Sequence, residues 1–309
     1  MSFLFSLGSG PGSGLSSFNL PFGLCEFFPF EDEETLSIVS TGPSWAVAAV
    51  DKKNHRVVLI ISRQGDIRWA TLGNKHFKGP RDVAYHEKLQ CLVVSDSQLH
   101  RLVFISPYNG EALGFFSGTG SDAIDSPHGV GVLSGSGCVV VADCPKDRIS
   151  ILEVAKEGSY KVVRHIGNGR GNGPQQFHNP HCVAVLDHDV IAVTDYRNHR
   201  VVLVTGEGEF LRTLLEQDGL LKFPVGICPT PMGIAVVDSN HHRVVLVDTT
   251  TGDIKGVLGM GPGSSVNELN FPAGVHYLTR AQMLVVSDHN NHRLSFMALE
   301  KNWPHICFV

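Results

Sequence analysis

Short apolar runs alternate with polar turns along the chain, and they are too short for ordinary helices. Typical runs are residues 139–142, 191–194 and 234–237, which are rich in Val, Ile and Ala and are each followed by an Asp. A second apolar run follows a few residues later, as at residues 201–204. Runs of this length and composition, bounded by polar turns, are typical of β-strands. The pattern therefore predicts an all-β protein.

Two further strands are expected around each pair of runs. An upstream segment begins with Pro, which suits the first residue of a strand because no ladder N–H is needed there. A downstream segment follows a turn that contains Gly or Asn, as in Asn109-Gly110. Each unit therefore predicts four short antiparallel strands. The upstream segments begin at Pro21, Pro80, Pro127, Pro180, Pro224 and Pro272.

One motif recurs six times: an Asp with an Arg five residues later, usually with His just before the Arg. Successive Asp residues are 43 to 52 residues apart, a period that fits one propeller blade. Six such units predict a six-bladed β-propeller that takes up residues 1–309 as a single domain. The six pairs are Asp51 and Arg56, Asp96 and Arg101, Asp143 and Arg148, Asp195 and Arg200, Asp238 and Arg243, and Asp288 and Arg293.

The chain ends indicate how the ring closes. Residues 2–7 form an apolar stretch without a blade of their own, so we expect them to complete the sixth blade and remove a free sheet edge. Residues 303–309 could fill the same place. The first blade carries an insertion with the acidic residues 31–34, expected to be a solvated loop on the face opposite the Asp-to-Arg turns.

The Asp-x-x-x-His-Arg-Val turns and the Pro-x-Gly-Val segments resemble the NHL repeat over essentially the whole chain. The resemblance implies a propeller like those of tripartite-motif and malin-type ubiquitin ligases, which recruit protein or RNA, although no RING segment precedes it here. It also implies a structural role for the motif residues. A fold hosts many functions, so function has to be argued from sites.

The position after the initial Pro differs between blades, and the repeat places it near one mouth of the central channel. It is Arg81, His128 and His181 in three consecutive blades, and an apolar residue in the others. In an NHL-type zinc lyase that cleaves peptidyl-hydroxyglycine, Pro-His pairs at this position supply metal ligands. Catalytic zinc usually has three protein ligands, and no third blade offers a His, so this enzyme is an alternative rather than the favoured interpretation.

The same face, called the upper face from here on, is predicted to be mildly basic although the chain has a net charge of −5. Outside the motif, nine basic residues lie in its turns and linkers against five acidic ones, and Tyr196 is a candidate aromatic contact. Such a patch can attract an acidic peptide or RNA. The basic residues are Lys52, Lys53, Lys75, Lys78, Arg81, Lys146, Arg170, Arg197 and Lys222.

Composition excludes a disordered chain, because 42% of residues are hydrophobic and only 18% are charged. No apolar run is long enough to span a membrane, and the seven cysteines show no zinc-ribbon spacing. The sequence thus favours a cytoplasmic, non-enzymatic scaffold without a cofactor, which binds a protein through its upper face, plausibly recruiting substrates in a ubiquitin pathway. A single-stranded RNA binder and the zinc lyase are the alternatives.

Overall fold

A computed structural model describes residues 3–8, 10–14, 16–27, 45–63, 66–73, 75–155, 158–217 and 219–299. Within them, 24 strands form six four-stranded antiparallel sheets, and the helical segments are 3-10 turns of three residues. The predicted six-bladed propeller is confirmed. Residues 31–34 and 303–309, for which the sequence raised expectations, lie outside the described residues.

Each blade takes its strands in chain order from the channel outward. Blade 1 is β2 (Pro21–Glu26), β3 (Trp45–Asp51), β4 (Arg56–Arg63) and β5 (Asp66–Leu72); blade 2 is β6 (Pro80–His86), β7 (Cys91–Asp96), β8 (Arg101–Ile105) and β9 (Ala112–Phe116); blade 3 is β10 (Pro127–Val132), β11 (Val139–Asp143), β12 (Arg148–Val154) and β13 (Tyr160–Ile166).

The other three blades follow the same order. Blade 4 is β14 (Pro180–Val185), β15 (Val190–Asp195), β16 (Arg200–Thr205) and β17 (Phe210–Leu214); blade 5 is β18 (Pro224–Thr230), β19 (Gly233–Asp238), β20 (Arg243–Val247) and β21 (Ile254–Leu258); blade 6 is β22 (Val275–Leu278), β23 (Met283–Asp288), β24 (Arg293–Ala298) and the N-terminal β1 (Phe3–Leu7).

The N-terminal strand closes the ring, as the sequence predicted. Strand β1 pairs antiparallel with β24, with Leu7 opposite Leu294. The sixth blade differs from the others at its inner strand, which begins at Val275 rather than at Pro272. In the other five blades the initial Pro is the first strand residue and faces the motif Asp, as Pro21 faces Asp51.

Apolar side chains fill the spaces between neighbouring blades in six buried clusters. The second and third strands are buried on both faces, which explains why their sequences are continuous apolar runs rather than alternating ones. At the channel the inner strands approach closely: a Cβ atom added to Gly129 would lie 2.5 Å from Cα of Cys182. This close approach explains why four of the six inner strands have Gly at this level, namely Gly23, Gly129, Gly226 and Gly274.

The turn between the second and third strands explains the choice of His in the motif. After the motif Asp, three residues form a 3-10 turn, and the next residue has a positive φ near 50°, as at His55, His199 and His242. Among residues other than Gly, the types Asn, Asp and His tolerate this conformation best. Blade 3 has Asp147 at the same position with the same geometry.

Candidate functional site at the upper channel mouth

The motif Asp and Arg form a buried frame on the upper face. In five blades the Arg Nε atom lies 2.7 to 3.0 Å from the Asp Oδ2 atom. The Arg also donates to carbonyl groups of the preceding linker, as Arg56 does to Ser13 and Ser17 at 2.9 and 2.8 Å. The Asp accepts an N–H from the segment before the inner strand, such as that of Asn19 at 2.7 Å. These contacts join each turn to its linker.

Blade 2 departs from this pattern. Both carboxylate oxygens of Asp96 accept backbone N–H groups, from Lys78 at 2.7 Å and from Gly79 at 2.9 Å. The Nε atom of Arg101 is buried without a hydrogen-bond partner among the described residues. Its guanidinium instead lies 4.3 Å from the ring centroid of Phe115. The motif is thus kept in sequence but bonded differently in this blade.

The residue before the motif Arg links adjacent blades. In four blades the Nδ1 atom of the motif His lies 3.0 to 3.3 Å from the backbone N of the residue before the next initial Pro. It accepts this N–H at His199, His242 and His292, whereas Nδ1 of His100 also lies 2.7 Å from Oδ1 of Asp125. Asp147 accepts the N–H of Asn179 in the same way at 2.8 Å. A carboxylate oxygen replaces the ring nitrogen as acceptor, which explains the one substitution in the motif. The four pairs are His292 with Leu20, His100 with Ser126, His199 with Phe223 and His242 with Phe271.

Three of the predicted mouth residues come together with Phe22 from the opposite side of the channel. The rings of His128 and His181 have centroids 4.5 Å apart in an edge-on arrangement. The ring of Phe22 stacks on His181 at 5.6 Å, and Cζ of Arg81 lies 5.2 Å from the Phe22 centroid. We call Phe22, Arg81, His128, His181, Val225 and Ala273, the residues after the six Pro positions, the mouth ring.

A second cation from blade 1 lies at the same place. Lys52, the first residue of its 3-10 turn, has its Nζ atom 5.1 Å from the Phe22 centroid. Burial and the nearby Arg81 and Lys53 lower the pKa of Lys52 to about 8. Burial, together with Arg81 and Lys52, holds the pKa of His181 well below its usual value. The mouth therefore combines two cations with neutral imidazoles.

These surroundings do not fit a zinc ion. Burial, His181 and the two cations hold the pKa of His128 well below its usual value, so both imidazoles are neutral, as ligands must be. However, no group of three or more His, Cys, Asp or Glu side chains within the described ranges could hold a metal ion. Two cations beside the histidines would also repel one. The donor set lacks both the third ligand and the negative charge that catalytic zinc sites usually provide.

The remaining predicted contact residues are cations, of which some form no ion pair and one is neutralised by a carboxylate. Lys53, Lys75 and Lys78 are exposed on blades 1 and 2, and none of them forms an ion pair with a described residue. Arg197 is exposed on blade 4. In contrast, Arg170 is paired with Asp147 through its Nε atom at 2.9 Å. The exposed upper-face cations without an ion pair to a described residue are therefore Lys53, Lys75 and Lys78 on blades 1 and 2, and Arg197 and Lys222 on blades 4 and 5.

The candidate aromatic contacts are packed against other rings. Tyr196 lies between His181 and Phe223, with centroid distances of 5.4 and 4.9 Å. Phe77 is only 6% exposed and belongs to the core beneath its linker. Phe22 is covered by His181 and by the two cations. Phe77 is thus closed to solvent, whereas Phe22 and Tyr196 are half-buried and line a pocket at the channel mouth.

A pocket of about 430 Å³ opens beside the mouth ring, and the sequence predicted only part of its wall. Five lining residues were missed. Four of them occupy positions in the motif turns that look like ordinary turn residues, and the fifth, Phe271, lies in the linker before Pro272. The residue directly after the motif Asp varies from blade to blade, and this variation was the signal that could have indicated the turn residues, which are Ser239, Asn240, His289 and Asn290.

Below the mouth ring, an unexpected polar pair lies in the channel. At the next position of the inner strands four blades have Gly, whereas blades 2 and 4 have Asp82 and Cys182. The Sγ atom of Cys182 lies 3.6 Å from Oδ2 of Asp82, which also accepts the N–H of Val130 at 3.0 Å. Burial raises the pKa of Asp82 to about 7, although these hydrogen bonds oppose the change.

All six described cysteines are free, and four of them are buried. No helix in the described part of the chain is long and apolar enough to cross a membrane.

Solved structures that superpose on this chain include proteins of quite different kinds. The chain superposes on virginiamycin B lyase from Staphylococcus aureus with a TM-score of 0.59 at 12% identity, covering 91% of this chain and 96% of that one. It superposes on a protein of unknown function from Bacteroides thetaiotaomicron with a TM-score of 0.69 at 14% identity, covering 97% and 76%. For a chain of a nidogen/laminin complex the TM-score is 0.55 at 14% identity, covering 69% and 74%.

These similarities describe the fold alone, because the identities are low and the neighbours differ in kind. No curated protein matches the sequence. The NHL repeat family model matches residues 177–202, which span the start of β14, the motif turn of blade 4 and the start of β16. The chain is therefore a six-bladed β-propeller that contains a recognisable NHL repeat.

Proposed function

We propose that this propeller is a non-enzymatic scaffold that binds a protein partner through its upper face. The observation that carries the proposal is a strip of free cations on blades 1 and 2. Lys53, Lys75 and Lys78 are exposed and form no ion pair within the described ranges, whereas Arg170 on the same face is neutralised by Asp147. A patch of unneutralised charge attracts an oppositely charged surface and orients it. We call these three lysines the basic strip.

The apolar side of the same face supports a protein rather than a nucleic acid as the partner. Phe271 before blade 6 is 40% exposed, whereas Val225 and Ala273 beside it are buried in the mouth ring, so the exposed apolar group of this side is Phe271. Protein interfaces commonly combine an apolar centre with a charged rim. Single-strand RNA binders instead offer a series of aromatic faces to successive bases, whereas Phe22 and Tyr196 each pack against other rings of the channel mouth. The favoured partner is therefore a protein with an acidic surface.

A more specific form of the proposal is that the bound protein is a substrate delivered to a ubiquitin ligase. This form rests on the resemblance of the repeats to the NHL domains of such ligases and on no contact in the molecule. It predicts that the proteins which depend on the basic strip include a ubiquitin ligase or a ubiquitinated substrate.

The experiment compares interacting proteins captured by the wild type and by a Lys53→Glu, Lys78→Glu double variant. The double variant should lose partners at unchanged thermal stability, because both side chains are exposed. Lys161→Glu is the matched control, since it reverses one exposed charge on the outer strand β13. Partners that are lost should then be purified and their affinities measured. An identical partner list for the double variant and the wild type would reject the basic strip as a binding surface.

A further inference from the structure

The pocket beside the mouth ring is lined by polar groups that the propeller itself does not use. The hydroxyl groups of Tyr196 and Ser239 and the amide groups of Asn240 and Asn290 make no hydrogen bond to any described residue. Ser239 is only 8% exposed. Tyr196 and Asn240 are half-buried, and Asn290 is exposed. A ligand in the pocket would therefore meet four donors that the propeller leaves free, one of them on a buried residue.

The charge at the pocket points to an anion. Arg81 lines the wall, and the one side-chain hydrogen bond that it makes to a described residue is long, 3.4 Å from Nε to Oγ of Ser97. Lys52 lies on the neighbouring ring of Phe22 and is close enough to Arg81 for their repulsion to lower its pKa. No described carboxylate forms an ion pair with either cation. Two partly buried positive charges side by side are unfavourable unless a negative group binds between or above them.

The number of charges distinguishes between possible anions. A phosphomonoester carries a charge of about −1.5 to −2 at neutral pH and has three acceptor oxygens, which matches two cations and several neutral donors. A carboxylate would neutralise only one of the cations. A phosphodiester in RNA has one charge for each nucleotide, so a single RNA phosphate would likewise neutralise only one of the two cations.

We propose that this pocket binds the phosphate group of a phosphorylated Ser or Thr side chain on the protein partner. Arg81 would supply the charged fork, since a guanidinium can hold two phosphate oxygens at once, and Lys52 the second charge. Asn240, Asn290 and the two hydroxyl groups would donate to the remaining oxygens. The inference rests on the proposed function, because it specifies the chemistry of the partner bound at the upper face.

The test measures the binding of short fluorescent peptide pools to the full chain by anisotropy. The pools contain random residues around a central phosphoserine, serine or glutamate, and a short oligouridine is the RNA probe. The phosphoserine pool should bind more tightly than the other two pools. Arg81→Gln should weaken this binding about 10- to 100-fold, as expected for the loss of a charged hydrogen bond. Asn240→Ala should weaken it about fivefold by the loss of a neutral one, and the control Lys161→Gln should leave it unchanged.

Each other outcome overturns the proposal. If the phosphoserine and serine pools bind equally well, the pocket does not recognise phosphate. If the phosphoserine and glutamate pools bind equally well, the pocket recognises acidic side chains in general rather than phosphate. If oligouridine binds more tightly than the phosphoserine pool, and this binding depends on Arg81, the ligand of the pocket is RNA rather than a phosphorylated peptide. The urea midpoint of each variant identifies those that fail to fold, and Asn240→Ala keeps the test decisive if Arg81→Gln unfolds.

The basic strip lies outside the pocket, so the two proposals fail separately. If the Lys53→Glu, Lys78→Glu variant loses partners but the phosphoserine pool binds no better than serine, the scaffold remains and the phosphate pocket falls. If the phosphoserine pool binds through Arg81 while the double variant keeps every partner, the phosphate pocket is supported and the basic strip is rejected as a binding surface.

Discussion

Replacing Asp82 by Asn should change how the stability of the propeller depends on pH. Asp82 is 9% exposed in the channel wall, where its carboxyl has hydrogen-bond contacts with Val130 N–H and the Cys182 thiol but no cationic partner among the described residues. Burial disfavours the ionised carboxylate and raises its pKa to about 7. The amide of Asn has nearly the same shape, can accept the same N–H and does not ionise.

The size of the effect follows from the difference between folded and unfolded pKa values. The unfolded chain ionises Asp82 near its ordinary pKa of 3.8, whereas the folded chain retains the proton up to about pH 7. The unfolded state is therefore favoured progressively as the pH rises from 4 to 7, and the loss is constant above that range. About three pH units correspond to about 4 kcal/mol. The wild type should lose this free energy of unfolding between pH 4 and pH 8, and the Asp82→Asn variant should not.

The assay is urea denaturation monitored by tryptophan fluorescence at several pH values between 4 and 8. The informative quantity is the difference in free energy of unfolding between Asp82→Asn and the wild type, because other titrating groups are common to both. It should rise by about 4 kcal/mol towards pH 8. Glu153→Gln on β12 is the matched control, since it removes an exposed carboxyl far from the channel. A difference for Asp82→Asn that stays flat across this range would refute the assignment of a buried, proton-binding carboxyl.

Two further predictions concern the frame of the propeller. His242→Ala removes the acceptor of the Phe271 N–H and should lower the free energy of unfolding by about 1 kcal/mol in urea denaturation, whereas His55→Ala, which removes no such bond between blades, should have a smaller effect. Equal losses would contradict the role of the motif His between blades. Gly129→Ala brings a Cβ atom to 2.5 Å from neighbouring backbone and should cost about 1 to 3 kcal/mol. Gly131→Ala, whose nearest contact would be 3.4 Å, is its control, and a similar change in urea midpoint for both would show that the close approach of strands is not the cause.

The repeat carried most of the information about architecture because it is local in the chain. The Asp-to-Arg spacing, the initial Pro and the apolar runs each act within one blade, and six copies of one unit can close only as a ring of equivalent sheets. The same reasoning placed residues 2–7 on the last blade, where β1 pairs with β24. It did not anticipate the role of the motif His, because the N–H that it binds belongs to the next blade.

The composition of the candidate site could not be predicted in full, because it depends on side-chain contacts between blades, and no pattern within one repeat of the sequence contains these contacts. The sequence identified Arg81, His128 and His181 as an unusual set, but it could not show that Phe22 from blade 1 stacks on His181 of blade 4. It also counted Arg170 among the basic residues of the upper face, although Asp147 neutralises it. Exposure and ion pairing depend on which side chains meet in three dimensions, so a count of charges on one face overestimates the charge that is available.

What the sequence determined by itself was the ring of six blades, its closure and the face that carries the variable positions. Only the tertiary structure decided which of those positions share a pocket and which are already paired. It also placed Asp82 and Cys182 in contact although 100 residues separate them in the chain. The physical reason is that strand formation depends on neighbours in sequence, whereas charge, burial and free donors at the channel depend on the meeting of all six inner strands.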